Sequence, residues 1–158
     1  MVNETDLAHL RRCVELAEEA LEAGDKPFGS VLVGAEGAVL MEARNRVATI
    51  DGTRHPEFEI ARWAGAFLSA DERAEATVYT SGEHCLMCAA AHAYVGLGRI
   101  VYASSTEQLQ AWLAEFGVKG GRVRPMPIPE VAPGVAVEGP VPELAESIKA
   151  LHRRAHLG

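Results

Sequence analysis

Residues 76 to 104 constrain the fold of this chain more than any other stretch. "ATVYT" and "RIVYAS" are short, apolar runs of the kind that form buried strands. Between them "CLMCAAAHAYV" is Ala-rich and helical, and "GLG" ends it. Strand, helix and strand in that order call for a sheet with helices packed against it. The flanking segments agree. Residues 5 to 23 read as an amphipathic helix, with Thr5 as N-cap, Leu7, Leu10, Val14, Ala17 and Leu21 at helical spacing, and Gly24 as the stop. "FGSVLVGAEGAVLMEARN" places two apolar runs around "GAEG", the pattern of a hairpin, which makes the sheet mixed. From Pro56 to about Leu68 the pattern is helical, with Pro56 in the first turn, where a missing N–H costs nothing. "TEQLQAWLAEFG" and "VPELAESIKALHRRA" are two further helices. Prolines at 125, 127, 129, 133 and 140 leave the segment between them mostly extended. One short strand fits there, in "RVRPMPI" or "GVAVEG", and the prolines confine it to an edge. The order α-β-β-α-β-α-β-α-(β)-α describes an α/β fold with both sheet faces covered.

A chain of 158 residues is expected to form one domain over 1–158 and can bury a core without staples. No run approaches eighteen apolar residues, so no membrane span is expected. The N-terminus lacks a basic region followed by an apolar one, so no secretory signal is expected and the cytoplasm is the expected compartment. In that setting three cysteines point to metal binding or catalysis before disulfides. The net charge of −7 repels phosphate backbones at long range, which argues against nucleic acid as a partner. The one basic candidate, "KALHRRAH" at 149–156, is expected to be the solvated face of a terminal helix.

The chemistry concentrates in "TSGEHCLMC", residues 80 to 88. Cys85 and Cys88, three apart at the start of a helix, share one face. The positive helix terminus favours thiolates. Half of a zinc site, a redox dithiol, and simple packing in an Ala-rich helix are all compatible with that pair alone. Cys13 reads as a small buried hydrophobe, and His9, His152 and His156 as surface residues. His92, one turn beyond Cys88, could approach a metal but is more often a hydrogen-bonded core residue. His55 differs. It sits in "RHPEFE", where a loop becomes a helix, with Glu57 two positions on. The helix dipole explains Glu57 alone, but not a His-x-Glu together with a Cys-x-x-Cys at a second helix start. His55, Cys85 and Cys88 supply three zinc ligands and leave a fourth position for water. Zinc lowers the pKa of such a water to roughly 7, and Glu57 is placed to move its proton. This is the H-x-E … C-x-x-C layout of hydrolytic deaminases.

With "KPFGSVLV", "RN" at 44–45, "DGTRHPE" at 51–57 and "YTSGEHCLMCAAA", the chain resembles the cytidine and deoxycytidylate deaminase superfamily, in its guanine deaminase and tRNA adenosine deaminase branch. The likeness runs from about residue 5 to residue 104. It implies a three-layer α/β/α sandwich with a five-stranded mixed sheet, one Zn2+ per chain, and a homodimer or larger assembly. It implies His55, Cys85 and Cys88 as ligands, Glu57 as proton shuttle, Asn45 as a base-contacting asparagine and Phe28 as pocket wall. The implied reaction is hydrolytic loss of an exocyclic amine from a heteroaromatic ring. Two residues depart from the family pattern. Pro56 replaces an alanine and removes an N–H from the substrate pocket. His84 replaces a proline beside the first cysteine and offers a polar group at the pocket wall or just behind it.

The leading expectation is a zinc-dependent deaminase of a free nucleobase or similar small heterocycle, such as guanine, a cytosine-like ring or an aminotriazine. A tRNA adenosine deaminase shares the site but needs basic side chains around its mouth. A non-catalytic zinc or Cys-x-x-Cys redox domain would leave the His55 and Glu57 pair unexplained.

Overall fold

A computed structural model describes residues 1–158. Helix α1 spans Glu4–Glu22 and is followed by strands β1 (Gly29–Val33) and β2 (Val39–Arg44). Helices α2 (Pro56–Phe67) and α3 (Ala70–Glu75) lead to β3 (Thr77–Gly82), α4 (Leu86–Tyr94) and β4 (Ile100–Ser104). Helices α5 (Thr106–Glu115) and α6 (Ile128–Val131), strand β5 (Val137–Glu138) and helix α7 (Pro142–Leu157) complete the chain. The five-stranded sheet has the order β2-β1-β3-β4-β5. The pairs β1·β2 and β1·β3 are antiparallel, and β3·β4 and β4·β5 are parallel, so the sheet is mixed.

Alternation along the strands divides the core into two layers. Val31, Val33, Tyr79 and Val101 face α1 and α7. Leu32 and Val78 face the opposite way, onto Ile60, Ala61 and Ala64 of α2. The three-layer α/β/α architecture expected from the sequence is therefore present. No helix is long and apolar enough to cross a membrane.

Several local expectations are corrected. The N-cap of α1 is Asn3, not Thr5, in a reciprocal capping box with Asp6. Its buried stripe is Leu10, Cys13, Leu16, Ala17 and Ala20, turned slightly from the expected one. The small residues on that face let α1 approach β1 so closely that a Cβ on Gly29 would lie 2.4 Å from the Leu16 Cβ. Helix α3 was not expected, because "ADERAE" has no apolar period and buries nothing; its signal is the Ser69–Glu72 capping box. The edge strand lies in "GVAVEG" and pairs parallel to β4.

The terminal helix holds the largest correction. His152, expected in solvent, is 2 % exposed. Its ring packs edge-on against Phe28 at 5.0 Å and lies 6.3 Å from Trp112. His9 is likewise only half exposed, with its ring 4.8 Å from that of Tyr79. Burial, reinforced by nearby His156 and Lys26, pulls His152 down to about 4. The fold therefore favours the neutral ring, against an unfolded value of about 6.5. Stability from this source is complete above the unfolded value and is lost as pH falls from about 6.5 through 4. Between pH 7 and pH 5 the loss is expected to be about 2 kcal/mol. Urea titrations at the two pH values should show it, and His152→Phe should remove that part of the pH dependence.

Candidate functional site

Two helix starts build the site. His55 is the N-cap residue of α2 and Cys85 the N-cap residue of α4, both with extended backbone and neither capping with its side chain. Their side chains are thus free to point elsewhere. Cys88 follows one turn into α4 and is fully buried. The Cys85 Sγ lies 3.5 Å and the Cys88 Sγ 3.6 Å from His55 Nδ1. All three donor atoms fall within 4.8 Å of one another. Zn–S bonds of about 2.3 Å and Zn–N bonds of about 2.0 Å in a tetrahedron separate sulfur and nitrogen ligands by about 3.5 Å. The donor set and its spacing fit a zinc ion. Cys85 is pulled down to about 4 by its hydrogen bond with Cys88 and by the facing His55, so a thiolate is available at neutral pH.

Glu57, in the first turn of α2, is 5 % exposed, and burial pushes its carboxyl up to about 7. Its Oε1 lies 3.1 Å from Ser30 Oγ on β1 and 3.3 Å from Thr80 Oγ1 on β3. His55, Glu57 and Cys85 border a cavity of about 200 Å³. That is below the roughly 300–1,000 Å³ of pockets that enclose drug-sized ligands. Phe28, Asn45 and Pro56 also line it. Asn45 is 3 % exposed, and its Oδ1 accepts a 3.0 Å bond from the Val47 N–H. Asp25 steadies the loop beyond: its carboxylate accepts from the N–H groups of Ala48 and Thr49, from the Thr49 hydroxyl and from Arg44.

His84 lies outside the cavity lining. Its ring is fully buried, 5.5 Å from that of His92, and neither of its nitrogens has a hydrogen-bond partner. Burial holds its pKa well below the ordinary histidine value. Of the two positions expected for it, at the pocket wall or just behind it, the first is not the one observed, while its chain neighbours Glu83 and Cys85 do line the cavity. His92 points away from the three donors, with its Nε2 donating to the Gly98 carbonyl at 2.7 Å. Cys13 is buried among apolar side chains.

The sequence reading missed one wall. Thr106, Leu109 and Gln110 of α5, with Pro125 and Met126, also line the cavity. Glu83 holds that wall in place: its Oε1 accepts from the Thr106 N–H at 2.9 Å and its Oε2 from the Ile128 N–H at 2.7 Å. The carboxylate beside the cysteines is thus a brace between α5 and α6, outside the donor cluster. The cap signal "SSTEQ" marks the start of α5 but carries no information on what faces it.

Residues 4–128 match the family model described as MafB19-like deaminase. A probable cytosine deaminase of Schizosaccharomyces pombe is 36% identical over 109 residues, spanning 68% of this chain and 65% of that protein. A guanine deaminase of Bacillus subtilis is 38% identical over 97 residues, 60% of this chain and 62% of that protein. The chain spans somewhat less than two thirds of the length of these two relatives. The solved structure of guanine deaminase from Nitrosomonas europaea superposes with a TM-score of 0.74, covering 100% of this chain and 87% of that one. At 22% identity that likeness is one of fold. The chain belongs to the MafB19-like deaminase family, within the cytidine deaminase superfamily.

Proposed function

We propose that this protein is a zinc-dependent hydrolase that removes an exocyclic amine, as ammonia, from a nucleobase or a similarly small heterocycle. The observation that carries this reading is the convergence of His55, Cys85 and Cys88 with donor atoms within 4.8 Å of one another, and Glu57 beside them on a cavity of about 200 Å³. Zinc held by those three residues would acidify water and so supply a nucleophile near neutral pH. The remaining work falls to the chain. Glu57, with a carboxyl near 7, can accept one proton from the attacking water and pass it to a ring nitrogen, then take the second from the added oxygen and pass it to the departing amine. Oxygen adds to the carbon bearing the amine, the C–N bond breaks, ammonia leaves and a ring carbonyl remains. Phe28 gives the ring an apolar wall, and Asn45, its Oδ1 tied to Val47, keeps an amide N–H2 for the edge of the base. Pro56 offers no N–H to the substrate. The exposed Phe67, Leu86 and Tyr94 on α2 and α4 support a homodimer through that layer.

A second reading, a tRNA adenosine deaminase, is favoured by one observation. Lys119, Arg122 and Arg124 line a second cavity that shares Gln110 and Pro125 with the first. No acidic residue lines that cavity. Such a patch suits phosphates in a chain that is otherwise acidic.

The test is ammonia release from free bases, nucleosides, aminotriazines and a tRNA, on protein whose zinc is measured by elemental analysis. One zinc per chain and turnover of a free heterocycle are expected, and Cys88→Ser should lose both. A full equivalent of zinc in that variant would remove Cys88 from the ligand set. Turnover confined to tRNA, weakening steeply with salt, would select the second reading.

A further inference from the structure

Thr80 and Ser30 are fully buried, face each other in the β1·β3 register, and lie under α2. Their hydroxyls form a short chain. Ser30 Oγ is 3.1 Å from Glu57 Oε1 and 2.9 Å from Thr80 Oγ1, and Thr80 Oγ1 is 2.9 Å from the Gly82 carbonyl. Each hydroxyl has one proton to donate. The Gly82 carbonyl can only accept, so it takes the Thr80 proton, and the one Ser30 proton is shared between Thr80 Oγ1 and Glu57 Oε1. Both contacts from the sheet fall on Oε1, at 3.1 and 3.3 Å. Oε2 is free of the sheet, and Glu57 borders the cavity.

We propose that Ser30, backed by Thr80, is a positioning residue that fixes the Glu57 carboxylate by Oε1 and presents Oε2 as the atom that exchanges protons with the substrate. This rests on the deaminase reading above. The geometry explains why two hydroxyls occupy sheet positions that otherwise hold only apolar side chains facing α2, Leu32 on β1 and Val78 on β3. The anchor also reaches the backbone that feeds the cysteines. Gly82 ends β3 three residues before Cys85, and a Cβ there would lie 3.3 Å from the Phe28 ring. Glu57 is thereby referenced to the same rigid strand end as the metal ligands. A carboxylate free to rotate would lose alignment with the reacting atoms, and misplacement by about 1 Å can cost roughly a hundredfold in rate.

Ser30→Ala and Thr80→Val are the test, with Thr80→Ser as the conservative control that keeps the hydroxyl. Ser30→Ala is expected to lower kcat by about ten- to a hundredfold with KM within about twofold. Its zinc content should stay at one equivalent, and its crystal structure should show the Glu57 carboxylate rotated away from Oε1-down. Thr80→Val should show the same split to a smaller extent, and Thr80→Ser should remain near native. If Ser30→Ala keeps native kcat and an unmoved Glu57, the proposal is overturned. A loss carried equally by zinc content or melting temperature would also overturn it, since the role would then be structural. Should the native protein release ammonia from nothing tested, the deaminase reading fails, and the Glu57 orientation in Ser30→Ala crystals still decides the positioning claim.

Discussion

Glu57→Gln is expected to retain a full equivalent of zinc and to lose about 10²–10⁴-fold in kcat, the range that a positioned acid–base group contributes. The amide matches the carboxylate in shape and can still accept the Ser30 bond through its oxygen, so the packing around it has no reason to change. What it cannot do is carry a proton between water, ring nitrogen and amine. Since burial already raises the Glu57 carboxyl to about 7, a neutral side chain there relieves a desolvation cost. The variant should therefore melt no lower than the native protein. Substrate binding should persist, and calorimetry on the inactive variant would measure it directly. Loss of activity with zinc and stability intact separates the proton shuttle from the ligands, because Cys88→Ser should lose all three together. Native rates of ammonia release from Glu57→Gln would show that another group moves the proton.

The residues that converge here were legible because each sits where local rules already fix the backbone. His55 precedes a proline that starts a helix, and Cys85 and Cys88 open a helix that follows a buried strand. Those rules determine where a side chain leaves the backbone, and two such exits that bring their donor atoms within 4.8 Å leave few arrangements. The α5 wall was not legible, because Glu83 meets the N–H groups of Thr106 and Ile128 across separations of 23 and 45 residues, and nothing local encodes those meetings. Ser30 and Thr80 were hidden for the same reason. Their pairing is a matter of antiparallel register between strands 50 residues apart, and a one-residue slip would have faced both away from Glu57. His152 shows the limit of patterning on charged helices. "KALHRRAH" looks polar throughout, yet one imidazole on the Leu144, Ile148 and Leu151 side is drawn into the core against Phe28. His84 is the reverse case: a polar residue chosen by chemical proximity to Cys85 is fully buried and does not line the cavity.

Asp6→Ala is expected to produce a large stability loss outside the site. The Asp6 carboxylate is almost fully buried and accepts from the Tyr79 hydroxyl at 2.7 Å, from two Arg99 nitrogens at 3.1 and 2.9 Å, and from the Asn3 N–H at 3.0 Å. It ties the first turn of α1 to β3 and to the start of β4, and Arg99 extends the tie to Glu138 of β5 at 3.1 Å. Removing one partner from a buried charge pair typically costs about 3–5 kcal/mol. Arg99 is 28% exposed, so water can partly replace its partner and the lower end, about 3 kcal/mol, is expected. For a chain of this size that lowers the melting temperature by roughly 6–12 °C. The pH dependence has a definite sign. Hydrogen bonds from Arg99 hold the Asp6 carboxyl well below the ordinary carboxylate range. Its contribution is therefore complete above the unfolded value near 4 and is lost progressively as pH falls from there through the depressed folded value. The gap between native protein and variant should stay constant from pH 8 to pH 5, across the window in which the His152 contribution fades. Tyr79→Phe removes one neutral donor and should cost about 1 kcal/mol. A melting temperature within 2 °C of native for Asp6→Ala would mean that Arg99 turns wholly to Glu138, and that the sheet edge, not the helix terminus, holds this corner of the molecule.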